Sequence, residues 1–225
     1  MPPALRTRIK MCGFTREADV DAAVAAGADA IGFVLYPPSP RAVSIERAAE
    51  LAARLPAFVT PVLLFVNEDP ARVLAASQAV PGAILQLHGD ETPAQCQDLS
   101  QRCGRPHLKV ARIPAQNVTG FDLLEFARLH HHAQALLLDT LVEGYGGGGK
   151  SFPWSQLPPN VDAHLVLSGG LTPANVGDGI AALRPRARSL AVDVSSGIEA
   201  GKGLKDAAKM GQFVAAVRAA DAALT

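Results

Sequence analysis

Short apolar runs alternate along this chain with longer stretches in which alanine and leucine recur at helical spacing. Residues 8–11 lead into Cys12-Gly13, and residues 16–26 follow as an alanine-rich helix opened by Thr15 with Glu17 in its first turn. A second run, 30–35, breaks on Pro37-Pro38-Ser39-Pro40-Arg41, after which Ser44 caps a helix over 45–55. Strand 59–66 precedes helix 70–79, and strand 83–87 precedes a helix that starts at Thr92-Pro93 and reaches 102. Strand 108–113 is followed by a weaker helix over 118–129, interrupted by Gly120. Leu136-Leu137-Leu138 then stops on Asp139, the pattern of a buried parallel strand whose last side chain emerges at a mouth. Strand 165–167 meets Ser168-Gly169-Gly170 before a helix from Thr172-Pro173 to 183, and strand 190–194 runs into Ser195-Ser196-Gly197 before a closing helix over 204–223. Eight such strand and helix units predict parallel pairing through helical crossovers, closing an α/β (β/α)8 TIM barrel that spans residues 1–225 as one domain. A doubly wound open sheet is the alternative. It would place its glycine fingerprint after the first strand, whereas here the glycines cluster after the last three.

Composition narrows the function without naming it. The chain has 225 residues, of which 48% are apolar, enough for one large core. Lys plus Arg and Asp plus Glu each total 21, so no long-range field draws nucleic acid, a membrane surface or polyanions, and any anion site is local. No apolar run is long enough for a membrane span or a signal segment, which makes a cytoplasmic protein the expectation. Monomer is the expected state, since no unpaired apolar face stands out. Cys12, Cys96 and Cys103 lack the paired spacing of a zinc site or disulfide framework and are read as free thiols, the latter two buried in helices.

Barrels of this kind do their chemistry at the C-terminal ends of the strands, so Cys12, Arg41, His88, Asp139, Gly170, Asp193 and Ser195 are expected to converge. Three glycine clusters follow the last three strands: Gly146 to Gly149 (with Gly147, Gly148 and Gly149 as the phosphate contacts), Gly169-Gly170, and Ser195-Ser196-Gly197. Backbone N–H groups in such loops turn toward one point without Cβ obstruction and cradle a phosphate. Asp139 at a closed mouth is a candidate general acid for a leaving sugar oxygen. Cys12 stands before a helix start and two residues from Lys10, either of which favours a thiolate, although an inert buried thiol is the plainer reading of residue type alone. Arg41, in a proline-stiffened loop, presents a fork suited to a carboxylate. His88 lacks neighbours at metal-ligand spacing, and His130-His131-His132 precede a strand, where imidazoles at a helix C-terminus interact with the helix dipole.

Taken together, Lys10-Met11-Cys12-Gly13-Phe14-Thr15, Gly32-Phe33-Val34 through Ser39-Pro40-Arg41, Leu85-Gln86-Leu87-His88-Gly89, Leu138-Asp139 with Gly146 through Phe152, Leu167 through Val176 and Asp193 through Glu199 resemble phosphoribosylanthranilate isomerases of tryptophan biosynthesis. Each motif is weak alone; six in order from first strand to last are specific. The resemblance implies a (β/α)8 barrel that rearranges N-(5'-phosphoribosyl)anthranilate to 1-(2-carboxyphenylamino)-1-deoxyribulose 5-phosphate with no metal or organic cofactor. It implies Asp139 as the acid that opens the ribose ring and Cys12 as the base at C2'. It also implies Arg41 on the anthranilate carboxylate, His88 and Asp193 as further substrate contacts, and the glycine loops on phosphate. The chain departs from the family pattern at Gly148, where Ser or Thr is usual, at Pro153, where Asp commonly precedes the Trp, and at Gly201-Lys202-Gly203, which usually includes proline. The competing readings are another phosphosugar barrel, such as an indoleglycerol phosphate synthase or a pentose phosphate epimerase, and a non-catalytic phosphate-ligand binding barrel. The first lacks its lysine and glutamate or paired metal ligands here, and the second has no need of Cys12 and Asp139.

Overall fold

Eight parallel strands pair in chain order and close on themselves: β1 (Arg8–Cys12), β2 (Ala30–Val34), β3 (Thr60–Phe65), β4 (Ile84–Leu87), β5 (His107–Pro114), β6 (Ala135–Leu141), β7 (His164–Leu167) and β8 (Ser189–Val194), with β8 returning to β1. The computed structural model describes residues 6–115, 120–141 and 152–224. Around the barrel lie α1 (Glu17–Ala26), α2 (Ile45–Ala52), α3 (Pro70–Ala79), α4 (Pro93–Cys103), α5 (Leu123–Leu129), α6 (Val176–Leu183) and α7 (Ala207–Ala223). The expected eighth helix is missing from the described residues between β6 and β7, where only a 3₁₀ turn, Trp154–Gln156, is seen. Pro153, one of the departures from the family pattern, stands at the N-terminal boundary of that turn.

Side chains alternate across each strand, and the two faces have different fates. Ile9, Met11, Phe33, Phe65, Leu87 and Leu138 point outward into one continuous core with the helices. Inward, Leu108, Val110, Ala135, Leu137 and Val166 form an apolar plug, while Cys12, Val34, Leu64 and Val66 form a smaller second cluster. The inward positions outside these clusters include Lys10, Gln86, Asp139 and Asp193, all buried. A strand buried on both faces has no place for such side chains unless they pair, and they do so at the C-terminal mouth.

Most helix starts carry a side-chain cap, but several do not fall where the sequence pattern placed them. Ser44 accepts from Arg47 N, and Thr92 with Gln95 forms a reciprocal capping box. Thr15 does not cap α1; its hydroxyl reaches Gly203 O at 3.4 Å, and Arg16 holds the cap position without a side-chain bond. The weak helix expected from 118 begins at Leu123 because Asp122 caps it. The closing helix begins at Ala207, capped by Asp206, and the residues before it form an antiparallel hairpin of β9 (Glu199–Gly201) and β10 (Leu204–Lys205). Gly203, at φ +79°, takes the left-handed conformation that this hairpin's turn requires.

Cys96 is buried in α4 and Cys103, at its last turn, is half-buried. His130 ends α5 with its ring 4.5 Å from that of Phe126. Burial, then the charge of Lys109 and the neighbouring His107, push its pKa down to about 4. His130 is therefore neutral at pH 7 and does not serve the helix dipole as a cation, contrary to the sequence expectation. The unfolded chain, with a histidine near pH 6.5, binds a proton that the folded chain refuses. Stability is thus lost as pH falls from about 6.5 toward 4, by up to about 3 kcal/mol. In urea unfolding, His130→Phe is expected to lose less stability than wild type between pH 7 and pH 4.5; equal losses would discount the buried imidazole.

Candidate active site

β1 brings Lys10 and Cys12 to the inner face of the barrel, two residues apart and both buried. Cys12 pairs in register with Gly32 on β2, and the glycine is required there: a Cβ would stand 2.6 Å from the Cys12 sulfur. Gly13, at φ +81°, turns the chain away, and a Cβ on it would lie 2.4 Å from Arg41 Cδ. Arg41 thus lies directly over the turn that follows the thiol.

Lys10 Nζ donates to Asp193 Oδ1 at 2.6 Å across the β1–β8 seam, and Ser168 Oγ at the end of β7 donates to Asp193 Oδ2 at 3.1 Å. Burial pulls the Lys10 pKa down, but Asp193 and Cys12 outweigh it, so the ammonium stays charged. For Cys12, burial pushes the thiol up, Lys10 pulls it back, and Asp193 adds to the rise; the net shift is upward. The resting sulfur is therefore a thiol at neutral pH. The sequence expectation that Lys10 would favour a thiolate has the right sign for Lys10 but omits burial and the competing carboxylate.

Arg41 is buried rather than a loop guanidinium waiting in solvent. Its Nε and Nη2 each donate at 2.7 Å to the two oxygens of Glu199 on β9. Lys205 on β10, with no exposed side-chain surface, donates to the same carboxylate at 2.8 Å and to Ser195 O at 3.1 Å. Burial pushes the Glu199 pKa up, but Arg41 and Lys205 outweigh it and hold it below the usual carboxylate range. The hairpin therefore fixes Arg41 beside Cys12 and leaves its Nη1 edge without a hydrogen bond to the described residues.

On the other side of the mouth, Asp139 lies two residues inside the end of β6 instead of at its last position, because β5 continues to Pro114 and keeps β6 paired through Leu141. Asp139 Oδ1 accepts from Thr140 N at 2.8 Å, and Oδ2 lies 3.1 Å from His88 Nε2. His88 Nδ1 in turn lies 3.0 Å from Gln86 Nε2. The loop after His88 is held by Glu91, whose carboxylate takes N–H groups from Gly89 and Asn67 and the buried ammonium of Lys109 at 2.7 Å.

Two of the three expected glycine clusters meet. Gly169 and Gly170, at φ +81° and +63°, make the turn after β7, braced by Asn175, which accepts from Thr172 N and donates to Gly170 O. A Cβ on Gly197, in the 3₁₀ turn Ser196–Ile198 after β8, would fall 2.0 Å from Leu171 O, so the two loops are in direct contact. A Cβ on Gly169 would come within 3.0 Å of Asp139 Oδ1, which places that turn against the carboxylate. The third cluster, with Gly147, Gly148 and Gly149, lies outside the described residues. Ser195 and Ser196 stand at the start of the β8 loop as expected. No group of three or more His, Cys, Asp or Glu side chains among the described residues is placed to hold a metal ion.

Sequence reasoning left Lys205 without a role and treated Gln86 and Glu199 only as members of motifs. The only available hint was their polar character inside buried segments.

The sequence model described as N-(5'phosphoribosyl)anthranilate (PRA) isomerase matches residues 9–216, a span holding all eight strands from the second residue of β1 onward and every site residue above. The chain belongs to the phosphoribosylanthranilate isomerase family. It is 60% identical over 217 residues to the N-(5'-phosphoribosyl)anthranilate isomerase of Leptothrix cholodnii, covering 96% of this chain and 93% of that one. It is 58% identical to that of Dechloromonas aromatica, covering 96% and 99%. Among solved structures, the Thermotoga maritima phosphoribosyl anthranilate isomerase is similar at TM-score 0.82 and 38% identity, covering 95% and 99%. A phosphoribosyl anthranilate isomerase in complex with reduced 1-(o-carboxyphenylamino)-1-deoxyribulose 5-phosphate is similar at TM-score 0.79 and 35% identity, with the same coverage.

The opposing pulls on the thiol give a signed prediction. Lys10→Met is expected to move the pH dependence of iodoacetamide labelling at Cys12 upward, and Asp193→Asn to move it downward by freeing Lys10 for the sulfur. Peptide mass mapping separates Cys12 from Cys96 and Cys103; shifts of the same sign in both variants would refute the balance.

Proposed function

We propose that Cys12 and Asp139 carry out the family's isomerisation in this chain, as general base and general acid, with Arg41 on the aromatic carboxylate and the loops after β6, β7 and β8 on the phosphate. The chain is an isomerase of tryptophan biosynthesis, and the reading concerns which side chains do the work. The observation that carries it is a continuous run of contacts around one rim: Cys12 beside Lys10, Lys10 on Asp193, Asp193 on Ser168, and the adjoining Gly169 against Asp139. An acid and a base supported from one rigid frame flank a sugar placed between them.

In this reading, Asp139 protonates the furanose ring oxygen of N-(5'-phosphoribosyl)anthranilate and the ring opens to a Schiff base. Cys12 removes the C2' proton, and the resulting enolamine relaxes to the ketone. The thiol must first lose its proton to solvent to become a thiolate, and Lys10 is the cation placed to stabilise that thiolate. Asp193 and His88 act through Lys10 and Asp139, their partners at rest. Arg41 presents Nη1 to the anthranilate carboxylate while Glu199 holds its other edge. A phosphate at the touching β7 and β8 loops supplies remote binding energy that keeps a flexible substrate in reactive geometry. We read the chain further as a single-domain cytoplasmic monomer acting on a small phosphoribosyl substrate. No described helix is long and apolar enough to cross a membrane.

The decisive assay supplies substrate made in place from anthranilate and phosphoribosyl pyrophosphate and follows the loss of its fluorescence. Cys12→Ser and Asp139→Asn are each expected to lower turnover by about a hundredfold or more, the usual worth of a positioned base or acid, with substrate still bound. Turnover close to wild type in either would remove that residue from the mechanism. Inorganic phosphate is expected to compete with substrate, raising KM without lowering kcat; an unchanged KM at high millimolar phosphate would argue against the anchor.

A further inference from the structure

Three side chains from two strands form a line from the barrel interior to the mouth: Gln86, fully buried, then His88, then Asp139. The order matters because a neutral imidazole has one donor and one acceptor nitrogen, and the partner of one decides the state of the other. Gln86 Nε2 lies 3.0 Å from His88 Nδ1, while Gln86 Oε1 is buried with no partner among the described residues. An amide nitrogen carries hydrogens and offers no lone pair, so it can only donate. The amide therefore donates to Nδ1, which must be the bare nitrogen, and Nε2 carries the hydrogen toward Asp139 Oδ2, 3.1 Å away.

We propose that Gln86 is a positioning residue for the acid: it fixes His88 as the Nε2–H tautomer, so that Asp139 Oδ2 is always occupied as an acceptor and the deliverable proton resides on Oδ1. Oδ1 has one lone pair taken by Thr140 N at 2.8 Å and faces the Gly169 turn, on the side where the phosphate loops meet. His88 then performs two tasks with one hydrogen. It prevents the acidic proton from retreating to the imidazole, and it stabilises the carboxylate left once that proton has gone to the sugar. Gln86 touches neither substrate nor reacting atoms; its effect runs wholly through the ring it orients. The inference rests on the reading of Asp139 as the acid, and the two are tested separately.

Long-range proton–nitrogen correlation spectra of 15N-labelled protein at pH 7, with His88 assigned by comparison with His88→Gln, are expected to show Nε2 protonated and Nδ1 bare. A protonated Nδ1 in wild type overturns the proposal, with no variant needed. Gln86→Glu, which can only accept, is expected to place a proton on Nδ1 and lower kcat by about tenfold or more with KM within about twofold, as a wrong tautomer does in other acid–base sites. Gln86→Met, which neither donates nor accepts, is expected to give mixed tautomers and an intermediate kcat. Unchanged kcat in Gln86→Glu, with the tautomer altered, also overturns it. If instead Asp139→Asn keeps full activity while the wild-type spectrum shows Nε2–H, the assignment of the acid fails and the tautomer lock stands as a structural device.

Discussion

A lysine ammonium with almost no exposed surface, shared between a carboxylate and a sulfur at the seam where the last strand meets the first, is the interaction on which the site depends. Removing two charges from water is expensive, and a buried ion pair can often be replaced by apolar side chains of similar volume without loss of stability. The Lys10–Asp193 pair is therefore poorly explained as a stabilising device. Its chemical meaning is that of a reservoir of positive charge under a thiol that burial holds protonated at rest, where it lowers the cost of forming the thiolate. Asp193 keeps the ammonium satisfied at rest and in doing so limits how much of that charge the sulfur feels.

Glu199 has the corresponding role nearer the rim. It takes the fork of Arg41 and the ammonium of Lys205, two cations in a space where like charges would repel. A single carboxylate thereby holds an arginine rigid beside the thiol and ties the β8 loop through Lys205 to Ser195. Opposite, Glu91 and Lys109 do for the loop after β4 what Glu199 and Lys205 do for the loop after β8. Each functional group at the mouth thus has a charged or amide partner behind it, and the apolar plug of Leu108, Val110 and Leu137 backs the interior.

The barrel was legible because strand ends announce themselves: an apolar run that meets Cys12, His88, Ser168 or Ser195 has left the core. Asp139 misled by two positions, since whether a strand continues depends on its neighbour, and the length of β5 is not written in the sequence of β6. The hairpin of β9 and β10 was hidden for a related reason. Leu204 and Lys205 suit a helix until Gly201-Lys202-Gly203 is seen as a turn and Asp206 as the true cap. Thr15 had a cap's chemistry but a better partner 188 residues away at Gly203. Partnerships across the barrel, such as Lys10 with Asp193 or Arg41 with Glu199, leave no local trace. Polar residues inside apolar strands say only that some partner must exist. His130 shows the converse, a histidine whose charge state is set by packing against Phe126 and by Lys109.

The β1–β8 seam has a consequence for how the protein is made. Residue 12 leaves the ribosome well before Asp193, Glu199 and Lys205, which lie more than 180 residues further along the chain. Until they dock, the sulfur has neither its buried setting nor its full set of neighbouring charges. A nascent or half-folded polypeptide therefore carries an ordinary cysteine, and the unusual one comes into being only when the ring is complete.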